Sequence, residues 1–96
     1  MRTHQDLEGR PVRFSYSVAR HKRAGTYYGI VRKVQTKGRG DKERLVGVTV
    51  QRPDGTQAAS YAARCQGERV KLERDFVQAV QWRGRWLTID EYLEAP

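Results

Sequence analysis

Alternating apolar and polar positions predict short β-strands along much of the chain. Residues 12–18 begin Val12-Arg13-Phe14 and keep this period of two, and residues 46–50 repeat it with three valines. A period of two places one face of a strand in the core and the other in solvent. A third β-rich run covers residues 26–34, in which Gly29 indicates a bulge or a bend.

Turn residues separate further predicted strands. Pro53-Asp54-Gly55 has the composition of a tight turn, which predicts a hairpin between the third strand and a fourth at residues 57–66. Alternation over residues 57–66 favours a strand, although the same residues are good helix formers with Gly67 as a plausible C-cap.

The last third of the chain contains three further elements. Val70 and Leu72 predict a short fifth strand, and residues 80–87 predict a last hairpin. The spacing of Thr88 and Glu91 is a capping-box pattern, which predicts one short C-terminal helix.

Three features together resemble SH3-like small β-barrels of the Tudor and KOW types. They are Gly29-Ile30-Val31, the Pro-Asp-Gly turn and a 3₁₀-like segment at residues 73–76. The resemblance implies a binding module for nucleic acid or protein, spanning residues 9–80, with residues 81–96 as an extension. The predicted fold is mainly β, a five-stranded barrel with a short C-terminal helix, or α+β if residues 57–66 are helical. Residues 1–9 are expected to be a flexible N-terminal segment, and residues 10–96 a single small domain.

Positive charge is concentrated in one part of the chain. The net charge is +8, and residues 10–44 contain eleven basic side chains against only Asp41 and Glu43. Such a concentration favours a partner that carries phosphates.

Residue patterns for catalysis and metal binding are weak. His4, His21 and Cys65 have no metal-ligand spacing, and no cofactor is expected. Asp54 and the segment 68–71 approach a metal-nuclease motif, but the spacing between acid and lysine is one residue too long. We therefore expect a protein that is not an enzyme.

The same sequence bears on location. A single cysteine excludes an internal disulfide, which favours a reducing compartment. The N-terminal residues lack the apolar core of a signal peptide, and no apolar run approaches the ~20 residues that cross a bilayer. We expect a cytoplasmic protein without a membrane partner.

The charge pattern predicts a nucleic-acid-binding face. Tyr27 is the preferred stacking residue, because alternation with Ile30 facing inward would leave Tyr27 exposed and Tyr28 buried. A second cluster, Arg83 and Arg85, lies at the tip of the last hairpin. The predicted contacts are Arg20, Lys22, Arg23, Tyr27, Arg32, Lys33, Lys37, Arg39, Lys42, Arg44, Arg83 and Arg85.

Two functions fit this face. The first is sequence-tolerant binding of DNA or RNA, as an accessory factor in nucleic-acid processing or a product of a mobile element. The alternative is a protein-interaction adaptor or inhibitor that docks an acidic partner.

Overall fold

Six antiparallel strands and one short helix form the domain in a computed structural model, which describes residues 2–15, 27–52 and 67–96. The sheet order is β4-β3-β2-β1-β5-β6. The strands are β1 (Pro11–Phe14), β2 (Tyr27–Lys37), β3 (Arg44–Gln51), β4 (Arg69–Glu73), β5 (Val77–Trp82) and β6 (Arg85–Leu87). The helix is α1 (Ile89–Glu94), and three 3₁₀ turns are η1 (His4–Leu7), η2 (Gly40–Lys42) and η3 (Arg74–Phe76). The predicted mainly β fold with a short C-terminal helix is confirmed.

The central strand β2 changes partner along its length. Its first part, Tyr27–Ile30, pairs with β1, and its second part, Ile30–Lys37, pairs with β3. Gly29 lies at this change, where an added Cβ would approach Val50 Cγ1 to 2.3 Å and the Gln51 carbonyl oxygen to 2.7 Å. The absence of a side chain at Gly29 therefore lets β2 and β3 approach closely.

The core forms where the two parts of the sheet face each other. Alternation predicted several of its members correctly, because Val12, Phe14, Val48 and Val50 are all buried. The helix adds Ile89 and Tyr92 to the same cluster.

The N-terminal segment packs on the domain, which differs from the flexible segment expected from the sequence. Leu7 is 1% exposed and belongs to the core cluster, and the Tyr92 hydroxyl donates to the Asp6 carbonyl at 2.9 Å. The Arg2 guanidinium donates to the carbonyl oxygens of Tyr92, Ala95 and Pro96. Periodicity could not predict this packing, because one apolar residue in a 3₁₀ turn produces no repeat.

The strand pairing corrects three further expectations. The sheet is not a closed five-stranded barrel among the described residues, because its ladder ends at β4 and β6. Among the described residues, β3 pairs with β4, which was expected as the fifth strand. The strand or helix expected at residues 57–66 lies outside the described residues. A bulge or a bend was expected at Gly29, and the bulge in this part of β2 lies between Val31 and Lys33.

The C-terminal hairpin and helix are confirmed. Strands β5 and β6 pair through a two-residue turn, and η3 precedes β5 as the 3₁₀-like pattern indicated. The Glu91 backbone N–H donates to Thr88 Oγ1 at 3.1 Å, and the Thr88 N–H donates to the Glu91 carboxylate at 2.9 Å. Hydrogen bonds to the Glu91 carboxylate, first from the Thr88 backbone N–H and then from the Thr88 side chain, lower the pKa of Glu91. Within the described parts of the chain, no helix is both long and apolar enough to cross a membrane.

We expect Gly29→Ala to lower the free energy of unfolding by roughly 1–3 kcal/mol, because the new methyl overlaps Val50 and the β3 backbone. Denaturant unfolding measures this change. Gln35→Ala, an exposed substitution on the same strand, is the control and should change stability by no more than about 0.5 kcal/mol. Equal stability of the two variants would contradict the close approach.

We expect Thr88→Ala to raise the pKa of Glu91 towards its ordinary value, because the reciprocal cap is broken. Since the folded-state pKa is lowered, the cap stabilises the helix above the ordinary carboxyl pKa and is lost as pH falls through the lowered value. A carboxyl NMR titration measures the shift, with Thr3→Ala as the control variant. The cap interpretation fails if Glu91 titrates identically in Thr88→Ala and in the unsubstituted protein.

Candidate nucleic-acid interface

A shallow channel with basic walls crosses the outer face of strands β2, β3 and β4, and we call it the β2–β4 trough. Its floor is Gly47 and Thr49 of β3. Val48 and Val50 beside them belong to the core, so Thr49 faces the opposite side of the sheet. A short side chain and a glycine on the middle strand leave this line of the surface low.

Two lysines form the walls of the trough at its centre. Lys33 on β2 and Lys71 on β4 are both register partners of Thr49, so the three residues form one row across the sheet. Both lysines are exposed, whereas Thr49 is 8% exposed. With neighbouring strands ~4.8 Å apart, the two backbone positions are about 10 Å apart.

Further cations continue the walls in both directions. Lys37 and Arg44 are cross-strand partners at the loop end of the trough, and both are exposed. Arg69 lies on β4 towards the opposite end, paired with Gln51. Glu73, paired with Gly47, is the acidic residue of the β4 wall. The trough therefore carries a net positive charge, with the carboxylates of Glu73 and Asp75 near the loop end.

A bulge in β2 brings Arg32 to the end of the trough. Val31 pairs with Val50 and Lys33 pairs with Thr49, so Arg32 is the extra residue, and Arg32 and Lys33 are both exposed. A bulge re-aims side chains in this way. The Arg32 Nε donates to Gln51 Oε1 at 3.0 Å, and Gln51 Nε2 donates to the Gly67 carbonyl at 3.1 Å.

The predicted loop cations lie beyond the trough. Arg39 and Lys42 are exposed at η2, between β2 and β3. Glu43 follows them and its carboxylate lies 3.1 Å from His4 Nδ1, which attaches the loop to the N-terminal segment.

The two neighbouring tyrosines face the opposite way from the sequence prediction. Tyr27 pairs with Phe14 and packs against the core, with ring centres 5.9 Å apart, and the Arg52 guanidinium lies 4.9 Å from the Tyr27 ring centre. Tyr28 faces outward, 5.9 Å from Trp86. The prediction was conditional on Ile30 facing inward, and that condition is not met, because the buried residue is Val31.

The predicted arginines of the last hairpin form a separate cluster around Trp82. Arg83 and Arg85 are exposed at opposite ends of the turn, and the Arg83 guanidinium lies 5.2 Å from the Trp82 ring centre. Strands β4 and β6 are the two ends of the sheet order, so this cluster and the trough lie on different strands.

Sequence reasoning missed the two basic residues of the β4 wall, Arg69 and Lys71. They were considered only as parts of a nuclease motif. Pairing between distant strands brings Lys71 into one row with Lys33, and a local sequence pattern does not show such pairing. Their only sequence signal was period-two spacing on either side of Val70. The predicted contacts Arg20, Lys22 and Arg23 lie outside the described residues, as do His21, Asp54 and Cys65.

The described residues contain no group of three or more His, Cys, Asp or Glu side chains that could hold a metal ion. Comparisons with family models, curated proteins and solved structures give no match to this chain.

Proposed function

We propose that this chain is a non-catalytic nucleic-acid-binding domain, and that the phosphate backbone of its ligand lies along the β2–β4 trough. The observation that carries the proposal is the row Lys33–Thr49–Lys71, with two exposed ammonium groups on either side of a low floor. Lysines at such positions neutralise phosphates and release counterions.

The charges around this row support a polyanion that runs along the trough. Lys37 and Arg44 extend the positive surface to the loop end, and Arg32 extends it at the bulge. From Lys33 to Lys37 the path is about 13 Å, at ~3.3 Å per residue. That length suits several successive phosphates better than one small anion.

The order of the elements supports a likeness to SH3-like small barrels at the level of topology. Strands β1 to β4 pair in succession, the turn η3 follows β4, and β5 returns to pair with β1. Such folds carry many unrelated binding functions, so the proposal rests on the charged surface and not on the topology.

The double variant Lys33→Gln/Lys71→Gln should bind oligonucleotides roughly three- to tenfold more weakly. It should also reduce the slope of log K against log salt by about 1.4 on a single strand, since each phosphate contact contributes ~0.7. Titrations at several salt concentrations measure both effects. The matched variant Arg39→Gln/Lys42→Gln removes the same charge from η2 and should lose less affinity, because these residues lie outside the trough. A larger loss in the η2 variant would move the site to the loop.

Removal of a carboxylate from the trough should raise the affinity for oligonucleotides, whereas removal of the lysines should lower it. Glu73→Gln should tighten oligonucleotide binding severalfold, because the carboxylate repels phosphates that lie beside Gly47. Glu94→Gln on α1 makes the same change in net charge away from the trough and is the control. Equal effects of the two variants would show that only net charge matters. An acidic protein that binds tightly while oligonucleotides do not would favour the adaptor function instead.

A further inference from the structure

A groove of about 320 Å³ lies beside the β5–β6 turn, with an apolar floor and cations at its rim. This volume is within the range of small-ligand sites, which begins at about 300 Å³. Its principal lining residues are Trp82, Leu87, Pro96, Arg83, Arg85 and Glu91.

The turn at the rim holds an arginine in a backbone conformation that arginine disfavours. Arg83 has φ 50° and Gly84 has φ 76°, and two positive φ values in a two-residue hairpin define a type I′ turn. Asparagine, aspartate or glycine is preferred at the first of these positions. A strained residue of this kind motivates a functional hypothesis for its side chain.

Several guanidinium groups gather at Trp82, but they have different partners. Those of Arg2 and Arg10 lie 4.2 and 5.0 Å from the ring centre and also donate to backbone carbonyls. Arg83 and Arg85 make no hydrogen bond or salt bridge with any residue that the structure describes. Two donors at the rim are therefore available to a ligand, in a region already rich in positive charge.

Resting on the function proposed above, we infer that this groove takes one unpaired base of a single-stranded nucleic acid, with Arg83 and Arg85 on the adjoining phosphates. An apolar floor offers nothing to a duplex, whose base faces are stacked inside, whereas an unpaired base presents a flat apolar face. The carboxylate of Glu91 bonds to Thr88 and lies near Arg85, so the rim remains cationic.

The test compares three probes of equal length: a thymidine oligonucleotide, an abasic oligonucleotide with the same phosphates, and a duplex. The unsubstituted protein should bind the thymidine strand about tenfold more tightly than the abasic strand. Arg83→Asn/Arg85→Gln should remove that difference, because the base enters the groove only while its adjoining phosphates are held at the rim. Lys33→Gln/Lys71→Gln removes the same charge from the trough and should weaken all three probes while the difference remains.

The Arg83→Asn variant also separates binding from folding. Asparagine suits the turn, so this variant should melt at the same or a higher temperature while it loses preference for the thymidine strand.

Equal binding of thymidine and abasic strands by the unsubstituted protein would overturn the base site and leave the trough proposal intact. A preference that survives in Arg83→Asn/Arg85→Gln would also overturn it. Failure to bind any of the three probes would reject the proposed function itself. An acidic peptide that binds the hairpin more tightly than the thymidine strand would replace the base with a protein partner.

Discussion

The close contact between β2 and β3 at Gly29 is the constraint on which the rest of the domain depends. Strand β2 pairs with β1 over its first part and with β3 over its second, and at Gly29 the backbones of β2 and β3 approach so closely that no side chain fits. The change brings β1, β5 and β6 to one side and β3 and β4 to the other. The core between them is therefore shared by residues that are far apart in sequence, such as Val12 and Leu72.

The same arrangement determines where charge accumulates. The bulge after Val31 exposes Arg32 and Lys33 together, and the pairing of β4 on β3 places Lys71 across Thr49. A second group of cations surrounds Trp82 at the other end of the sheet. The helix α1 carries Asp90, Glu91 and Glu94 and no basic residue, so its charge is opposite to that of both basic regions. The two basic regions differ in kind, since one is an open channel and the other a groove with an aromatic floor.

Local patterns in the sequence predicted the features that depend on residues close together in the chain. Alternation identified Phe14 and Val50 as core residues, and the spacing of Thr88 and Glu91 identified the helix start, because each depends only on near neighbours. The facing of Tyr27 could not be obtained in this way, since it depends on which residue beyond Gly29 is buried. Lys71 was missed as a site residue for a related reason, because only pairing between distant strands brings it beside Lys33. The packing of Leu7 gave no periodic signal at all.

The contact of Arg2 with the end of the chain has a consequence for how the domain opens. The Arg2 guanidinium donates to the carbonyl oxygens of Tyr92 and Pro96, and Pro96 is 94 positions away in sequence. The Tyr92 hydroxyl in turn donates to the Asp6 carbonyl. The last helix cannot leave the sheet without breaking contacts to the first turn, and the first turn cannot leave without exposing Leu7. We therefore expect the two terminal segments to open as one cooperative unit, with amide hydrogens that exchange with solvent together and not as two independently fraying ends.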